Sequence, residues 1–166
     1  MYTTTVKELT AENFQPYGTF AFMLCSAKDD EQDKGAVRFY PDLVLGRLGD
    51  DTAASYSVCH CLKRPFVVDS CECHKNCDEV VLPLDGDVLL HVGRPTEDGR
   101  PSSKDIEVFK VKKGTVVILR AGVWHHGPFA LDNDEVNVLI VLPEKTYAKD
   151  CYVVELPEEE QVEIKF

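Results

Sequence analysis

The feature that most restricts the fold is a rhythm that starts at residue 37. Short runs rich in β-branched and aromatic residues alternate there with turn-forming residues. The runs are VRFY, ASYSVCHCL, FVV, EVVLPL, DVLLHV, IEVFKV, TVVIL, EVNVLIVL and CYVVEL. Between them stand Pro-Asp, Leu-Gly-Asp-Asp, Asp-Gly-Asp, Glu-Asp-Gly-Arg-Pro and Lys-Lys-Gly. Many short strands at close spacing, with almost no helical period, predict an all-β sandwich or barrel. Such a chain must close its sheet or protect the edges. One short helix is expected over residues 9–15, LTAENFQ: Thr10 can cap its amides, and Leu9 and Phe14 stand at staple spacing. Pro16 stops that helix and Tyr17-Gly18 turns the chain away. Tyr17, Phe20 and Phe22 are expected to cover one end of the barrel. Residues 26–36, SAKDDEQDKGA, read as a surface loop. No repeat or linker divides the chain, so residues 1–166 are expected to form a single domain.

Composition narrows the partners. The 166 residues carry 18 basic and 29 acidic side chains, a net charge of −11. That field repels nucleic acid and anionic membranes. No apolar run approaches the roughly 20 residues that span a bilayer, and MYTTTVKELTAENF has no signal-peptide pattern. The expectation is a soluble, cytoplasmic protein. A small anionic substrate would need a local cation or a metal to hold it. The seven cysteines, an odd count with no secretory signal, argue against a disulfide framework. The Cys-x-Cys spacings at 59/61 and 71/73 miss the usual two-residue gap of structural zinc sites. On a strand, positions i and i+2 share a face, so each pair is expected to serve as small buried hydrophobes.

Two segments carry the chemistry. In CECHKNCDEVVLPLDGD (71–87), Glu72 and His74 project from one strand face, and Glu79 opens the next strand after a turn. Gly86 lies in an Asp-Gly-Asp turn, where a positive φ would be cheap. Further on, GTVVILRAGVWHHGPF (114–129) brings Gly114, a tight turn at Arg120-Ala121-Gly122, and then His125 and His126. The pair resembles the two motifs of the cupin superfamily. Glu72-x-His74, four residues, Glu79, six residues and Gly86 fit the first motif; Gly114, five residues, Arg120-x-Gly122, two residues and His125 fit the second. Glu72 stands where the first motif has His, Arg120 where the second has Pro, and Phe129 where it has Asn. The resemblance implies a double-stranded β-helix, or jelly-roll barrel, with one divalent metal held by Glu72, His74, Glu79 and His125. Such an N/O donor set suits manganese, iron, nickel or zinc. Cys71 and Cys73 flank Glu72, so strand alternation turns their sulfurs to the other face. A shared ion at ~2.1 Å per bond requires the rings of His74 and His125 to lie within about 6 Å.

Within that superfamily, several islands resemble ureidoglycolate lyases. They are Val123-Trp124-His125-His126 with Pro128, Leu82-Pro83-Leu84-x-Gly86, and the opening Leu9, Glu12, Phe14, Tyr17 and Gly18. Arg64-Pro65 and the Arg38-Phe39-Tyr40 region also fit, so the resemblance spans most of residues 5–143. It implies a homodimeric enzyme that releases urea from ureidoglycolate and leaves glyoxylate, a late step of allantoin breakdown. His126, beside a ligand, is the first candidate for the proton-transferring group; an outward-facing His126 is the alternative, since neighbours on a strand alternate. Arg120 and Arg64 are candidates to grip the substrate carboxylate, each with a solvated surface residue as the alternative. The C-terminal VEIKF is strand-like and could pair with a partner's sheet edge. Two other readings remain open at this point. One is a different metal-dependent cupin reaction on a small hydroxy acid or sugar, isomerase or dioxygenase; the other is a non-catalytic binding module.

Overall fold

A computed structural model describes residues 1–24, 39–49 and 53–166. The loop expected at 26–36, together with Cys25 and Arg38, lies outside the described residues. Strand β1 (Tyr2–Glu8) leads into helix α1 (Ala11–Phe14), which begins where expected. Thr10 is extended and its hydroxyl accepts from the Asn13 amide at 3.2 Å, satisfying one of the orphan donors of the first turn. Phe14 is fully buried, edge-on to Phe109 with ring centroids 5.2 Å apart.

The strands then follow in order: β2 (Gly18–Phe22), β3 (Ala54–Leu62), β4 (Val67–Val68), β5 (Ser70–Cys73), β6 (Glu79–Pro83) and β7 (Val88–Gly93). After them come β8 (Glu107–Val111), β9 (Thr115–Leu119), β10 (Trp124–His125), β11 (Phe129–Ala130) and β12 (Glu135–Pro143). A second short helix, α2 (Thr146–Lys149), precedes β13 (Tyr152–Glu155) and β14 (Val162–Lys165). Two sheets result. The smaller runs β2-β9-β6-β12-β3; the larger runs β13-β5-β10-β7-β8-β1-β14-β4, with β11 also on β7. This is the jelly-roll arrangement. Its interior is filled by Phe14, Tyr17, Val81, Leu90, Phe109, Val117 and Val138, among others. A second apolar cluster, including Val68, Cys71, Cys73, Leu89, Trp124 and Phe129, lies on the other face of the larger sheet. Strand β7 is buried at all six positions because it contributes to both clusters.

Several sequence expectations change. The Thr-rich start, which lacks the apolar alternation of a strand, forms β1 and pairs in parallel with both β14 and β8. Residues 162–165 are therefore not a free edge for a partner: β14 is held between β1 and β4 of its own chain. Phe39 and Tyr40 lie outside any strand and are exposed. Tyr17 is buried in the core, whereas Phe22 is half exposed. Gly86 is not required for a positive φ. It is required for space, since a Cβ there would come within 2.6 Å of the Asn133 amide and 2.7 Å of a Val136 methyl.

Candidate metal centre

The second motif reaches its place through a turn. Gly122 adopts φ +82°, a region open mainly to glycine, and its amide donates to the His74 carbonyl at 2.6 Å. That bond ties the two motifs together before any side chain meets. Antiparallel pairing then sets His125 of β10 opposite Glu72 of β5 on one side and Val92 of β7 on the other. Glu79, first residue of β6, pairs with Leu119 at the end of β9.

The result is a buried cluster. Glu72, His74 and His125 each present a donor atom, all within 4.8 Å of one another, and no other such group forms among the described residues. The two imidazole centroids are 5.4 Å apart. Glu79 lies between the rings: its Oε2 is 2.8 Å from His125 Nε2 and 3.0 Å from His74 Nε2. Glu79, His74 and His125 are all buried. Both rings are oriented by backbone carbonyls. His74 Nδ1 donates to Asp150 O at 2.7 Å and His125 Nδ1 donates to Val123 O at 2.8 Å. A carbonyl only accepts, so each Nδ1 carries hydrogen and each Nε2 is turned toward the same carboxylate oxygen.

That geometry demands positive charge. Two Nε2 lone pairs facing one carboxylate would repel it, so either protons or a cation must stand between them. Burial would push the Glu79 carboxyl up, but His125 and then His74 outweigh it and hold it down at about 2. Burial would push His125 down, but the Glu79 charge and hydrogen bond raise it to about 9. His74 is raised in the same way, against burial, by Glu79 and the Asp150 carbonyl. His74 Nε2 is nevertheless buried without a well-directed hydrogen bond: the Glu79 oxygen is close but poorly aligned. An orphaned nitrogen aimed at a carboxylate and a second imidazole fits a divalent ion.

The residues that support this cluster come mostly from the tail. The Asp150 carboxylate accepts from the amides of Lys75 and Asn76 and from Asn76 Nδ2, while its own carbonyl holds His74. It thus fixes both the ring and the turn that follows it. The Cys151 thiol donates to Glu72 Oε2 at 3.2 Å, and burial together with the Glu72 charge pushes that thiol up to about 12. The Tyr147 ring stands perpendicular to His74, with centroids 6.0 Å apart. The residue is 58% exposed, but desolvation raises its hydroxyl above the usual range, helped by the charges of Glu79 and Glu72. None of these three residues has a signal in the sequence, because the motifs end before residue 143.

The remaining candidates are more dispersed. His126 follows β10 and is half-buried; it makes no hydrogen bond to the cluster. Arg64 donates from Nη2 to Gly127 O at 2.6 Å, with its guanidinium 4.1 Å over the Phe129 ring. Arg120 donates from Nη1 to Gln15 O at 2.6 Å and lines a groove of about 580 Å³ with Phe14, Phe20, Leu43 and Leu45. That groove contains none of Glu72, His74, Glu79 or His125. Cys71 and Cys73 point away from Glu72 into the second apolar cluster.

Residues 1–163 match the sequence profile described as "Ureidoglycolate lyase". The chain belongs to the ureidoglycolate lyase family. It is accordingly an enzyme of the lyase class, and its two sheets form a jelly roll. A protein of Agrobacterium fabrum, provisionally named as a ureidoglycolate lyase, is 33% identical over 132 residues, which cover 76% of this chain and 74% of that one. Among solved structures, oxalate decarboxylase of Bacillus subtilis, studied for its Mn(II) centres, is 16% identical with a TM-score of 0.44. The match covers 63% of this chain but only 24% of that one. RmlC from Streptococcus suis is 14% identical with a TM-score of 0.36, over 55% of this chain and 44% of its own. No helix among the described residues is long and apolar enough to cross a membrane.

Two outcomes follow from the cluster. In chelator-treated protein, the raised His125 stabilises the fold fully below about pH 6.5 and ceases to as pH rises through about 9; the depressed Glu79 stabilises it above about pH 4.5 and ceases to as pH falls through about 2. The metal-free melting temperature is therefore expected to be highest between about pH 4.5 and 6.5. It should fall toward pH 9, and added Mn²⁺ should remove that fall; a flat metal-free profile to pH 9 contradicts the charge balance. Asp150→Ala keeps the carbonyl that holds His74 but frees the Lys75-Asn76 turn from the carboxylate, and is expected to weaken metal binding by roughly tenfold, the low end of what loss of a supporting partner costs. Isothermal titration of wild type and variant decides this, and equal affinities would refute the positioning role of Asp150.

Proposed function

We propose that this enzyme cleaves ureidoglycolate to glyoxylate and urea, using a divalent ion held by Glu72, His74, Glu79 and His125. The observation that carries this reading is the convergence of two carbonyl-oriented imidazoles on one buried Glu79 oxygen, in a chain matched to the family along almost its whole length. Two imidazoles and two carboxylates make a borderline-hard set open to manganese, iron, nickel or zinc. When bound, the ion supplies Lewis-acid charge that favours loss of the proton from an α-hydroxyl group.

The chain's own residues supply the rest. The substrate is an anion and the protein carries a net charge of −11, so a local cation must receive the carboxylate. We assign that task to Arg64, whose guanidinium has further N–H donors beyond the one given to Gly127. Arg120 is engaged with Gln15 at the outer groove and serves the fold in this reading. As the hydroxyl proton leaves, the carbon–oxygen bond becomes a carbonyl and the carbon–nitrogen bond breaks. The departing ureido nitrogen needs a proton. His126 and the Tyr147 hydroxyl are the two donors the reading admits, and the Tyr147 ring stands edge-on to His74.

A homodimer belongs to the same reading. Strand β3 is the last of its sheet, and its outward Tyr56, Val58 and Leu62 are 73%, 61% and 59% exposed. Such a row on a strand edge is suited to covering by a second copy.

Two experiments test these statements. Purified wild type is expected to contain close to one divalent ion per chain by elemental analysis and to release urea from ureidoglycolate. His74→Ala combined with His125→Ala should lose both with the fold retained. Metal without urea release would point to a different cupin reaction, and neither to a binding module. Light scattering should give twice the chain mass of 18.6 kDa for wild type and a monomer for Val58→Asp; a monomeric wild type would overturn the dimer.

A further inference from the structure

The alternation along β3 turns Cys59 and Cys61 inward, opposite Val138 and Val136 of β12. Their sulfurs lie 3.6 Å apart, close enough for one thiol to donate to the other. Cys61 is buried, whereas Cys59 remains half-buried. The Cys59 sulfur adjoins the chain that carries His125: a Cβ placed on Gly127 would sit 3.5 Å from it. The Gly127 carbonyl anchors Arg64, so a guanidinium is held on the same segment and its charge favours the Cys59 thiolate. Gly127 lies two residues beyond His125, so the Cys59 sulfur packs against the segment that delivers that imidazole.

The other described thiols lack this setting. Cys61, Cys71, Cys73 and Cys77 are buried, with burial pushing Cys71 up to about 12 and Cys77 to about 11. Cys151 is committed to Glu72. At Cys59 the Cys61 hydrogen bond prevails over burial, with help from Arg64, and lowers the thiol below its ordinary range. Half-exposed thiolates beside a donor and a cation are the reactive ones.

We propose that Cys59 is a covalent modification site, its thiolate held by Cys61 and Arg64, for peroxides and soft electrophiles. With hydrogen peroxide, a sulfur–oxygen bond forms as the oxygen–oxygen bond breaks; the sulfur is oxidised to a sulfenic acid, peroxide is reduced, and hydroxide departs. With iodoacetamide, a carbon–sulfur bond forms and iodide leaves. Bulk added to this sulfur crowds Gly127 and so disturbs the segment that carries His125, a consequence that rests on reading the His125 cluster as the active site.

The test uses the full chain in its native state. Iodoacetamide at pH 7, followed by mass-spectrometric mapping of residues 48–63, should alkylate Cys59 faster in the folded protein than in urea. An ordinary thiol at pKa ~8.5 is only a few per cent thiolate at that pH. Cys61→Ala should slow the native reaction by roughly tenfold, as Cys59 moves toward that ordinary value. If Cys61→Ala melts early, Arg64→Gln provides the same comparison. Peroxide followed by dimedone should place the sulfenic adduct on Cys59. Slower labelling in the folded state, a rate unaffected by both variants, or an adduct confined to other cysteines would each overturn the assignment. Alkylated wild type should take up less metal and release less urea, while Cys59→Ser resists the treatment. Metal uptake undiminished after full alkylation would overturn the disturbance of that segment. Absence of urea release before any treatment would count against the lyase reading alone, because labelling needs neither metal nor substrate.

Discussion

The structure is organised around a single electrostatic demand: two imidazole nitrogens and a carboxylate forced together out of water. Isolated, each group would resist burial, since desolvation disfavours its charged form. Together they are stable only with positive charge between them, carried by protons or by an ion. Every element near the site serves to keep the three from separating. The Gly122–His74 backbone bond fixes the distance between motifs, the Val123 and Asp150 carbonyls fix the ring orientations, and β5–β10 pairing fixes the lateral register. A barrel suits this purpose because its walls supply strands from distant parts of the chain to one interior point.

The same demand explains the asymmetry between the two carboxylates. Glu79 is buried and ion-paired with both histidines, whereas Glu72 is only half-buried and accepts a thiol hydrogen bond from Cys151. One carboxylate is locked in place and the other stands nearer solvent. The locked group sets the charge of the centre; the looser one has freedom to adjust as a ligand or a substrate enters. Substitution of His by Glu at the first motif position thus changes the centre's charge as well as its donor atoms.

Much of this was legible in the residues and some was not. The strand rhythm after residue 53 and the Thr10 cap correspond to elements because period-2 burial and capping are local rules. The meeting of Glu72, His74 and His125, with Glu79 against both imidazoles, was implied by the resemblance of two segments to the cupin motifs; strand alternation alone gave only that Glu72 and His74 share a face. β1 escaped notice because Tyr2–Glu8 carries three threonines and a lysine, with no strong apolar alternation; its pairing with β14 and β8 is what makes it a strand. The positive φ expected at Gly86 failed because the requirement there is for room against Asn133 and Val136, which only the packed structure reveals. Asp150, Tyr147 and Cys151 escaped for a related reason: a supporting residue is defined by what it touches, and those contacts span more than 70 residues of sequence.

The parallel ladder between β1 and β14 joins Tyr2 to Val162 and so closes a loop of nearly the entire chain. Contacts that remote are formed late and slow the approach to the native state, because the entropy of ordering must be spent before they repay it. Until that ladder zips, β4 has no strand to dock on and part of the second apolar cluster stays wet. The two ends of the chain are therefore a single cooperative element: trimming the first few residues removes the partner of β14, and with it the seat of Val162 and Ile164 in that cluster.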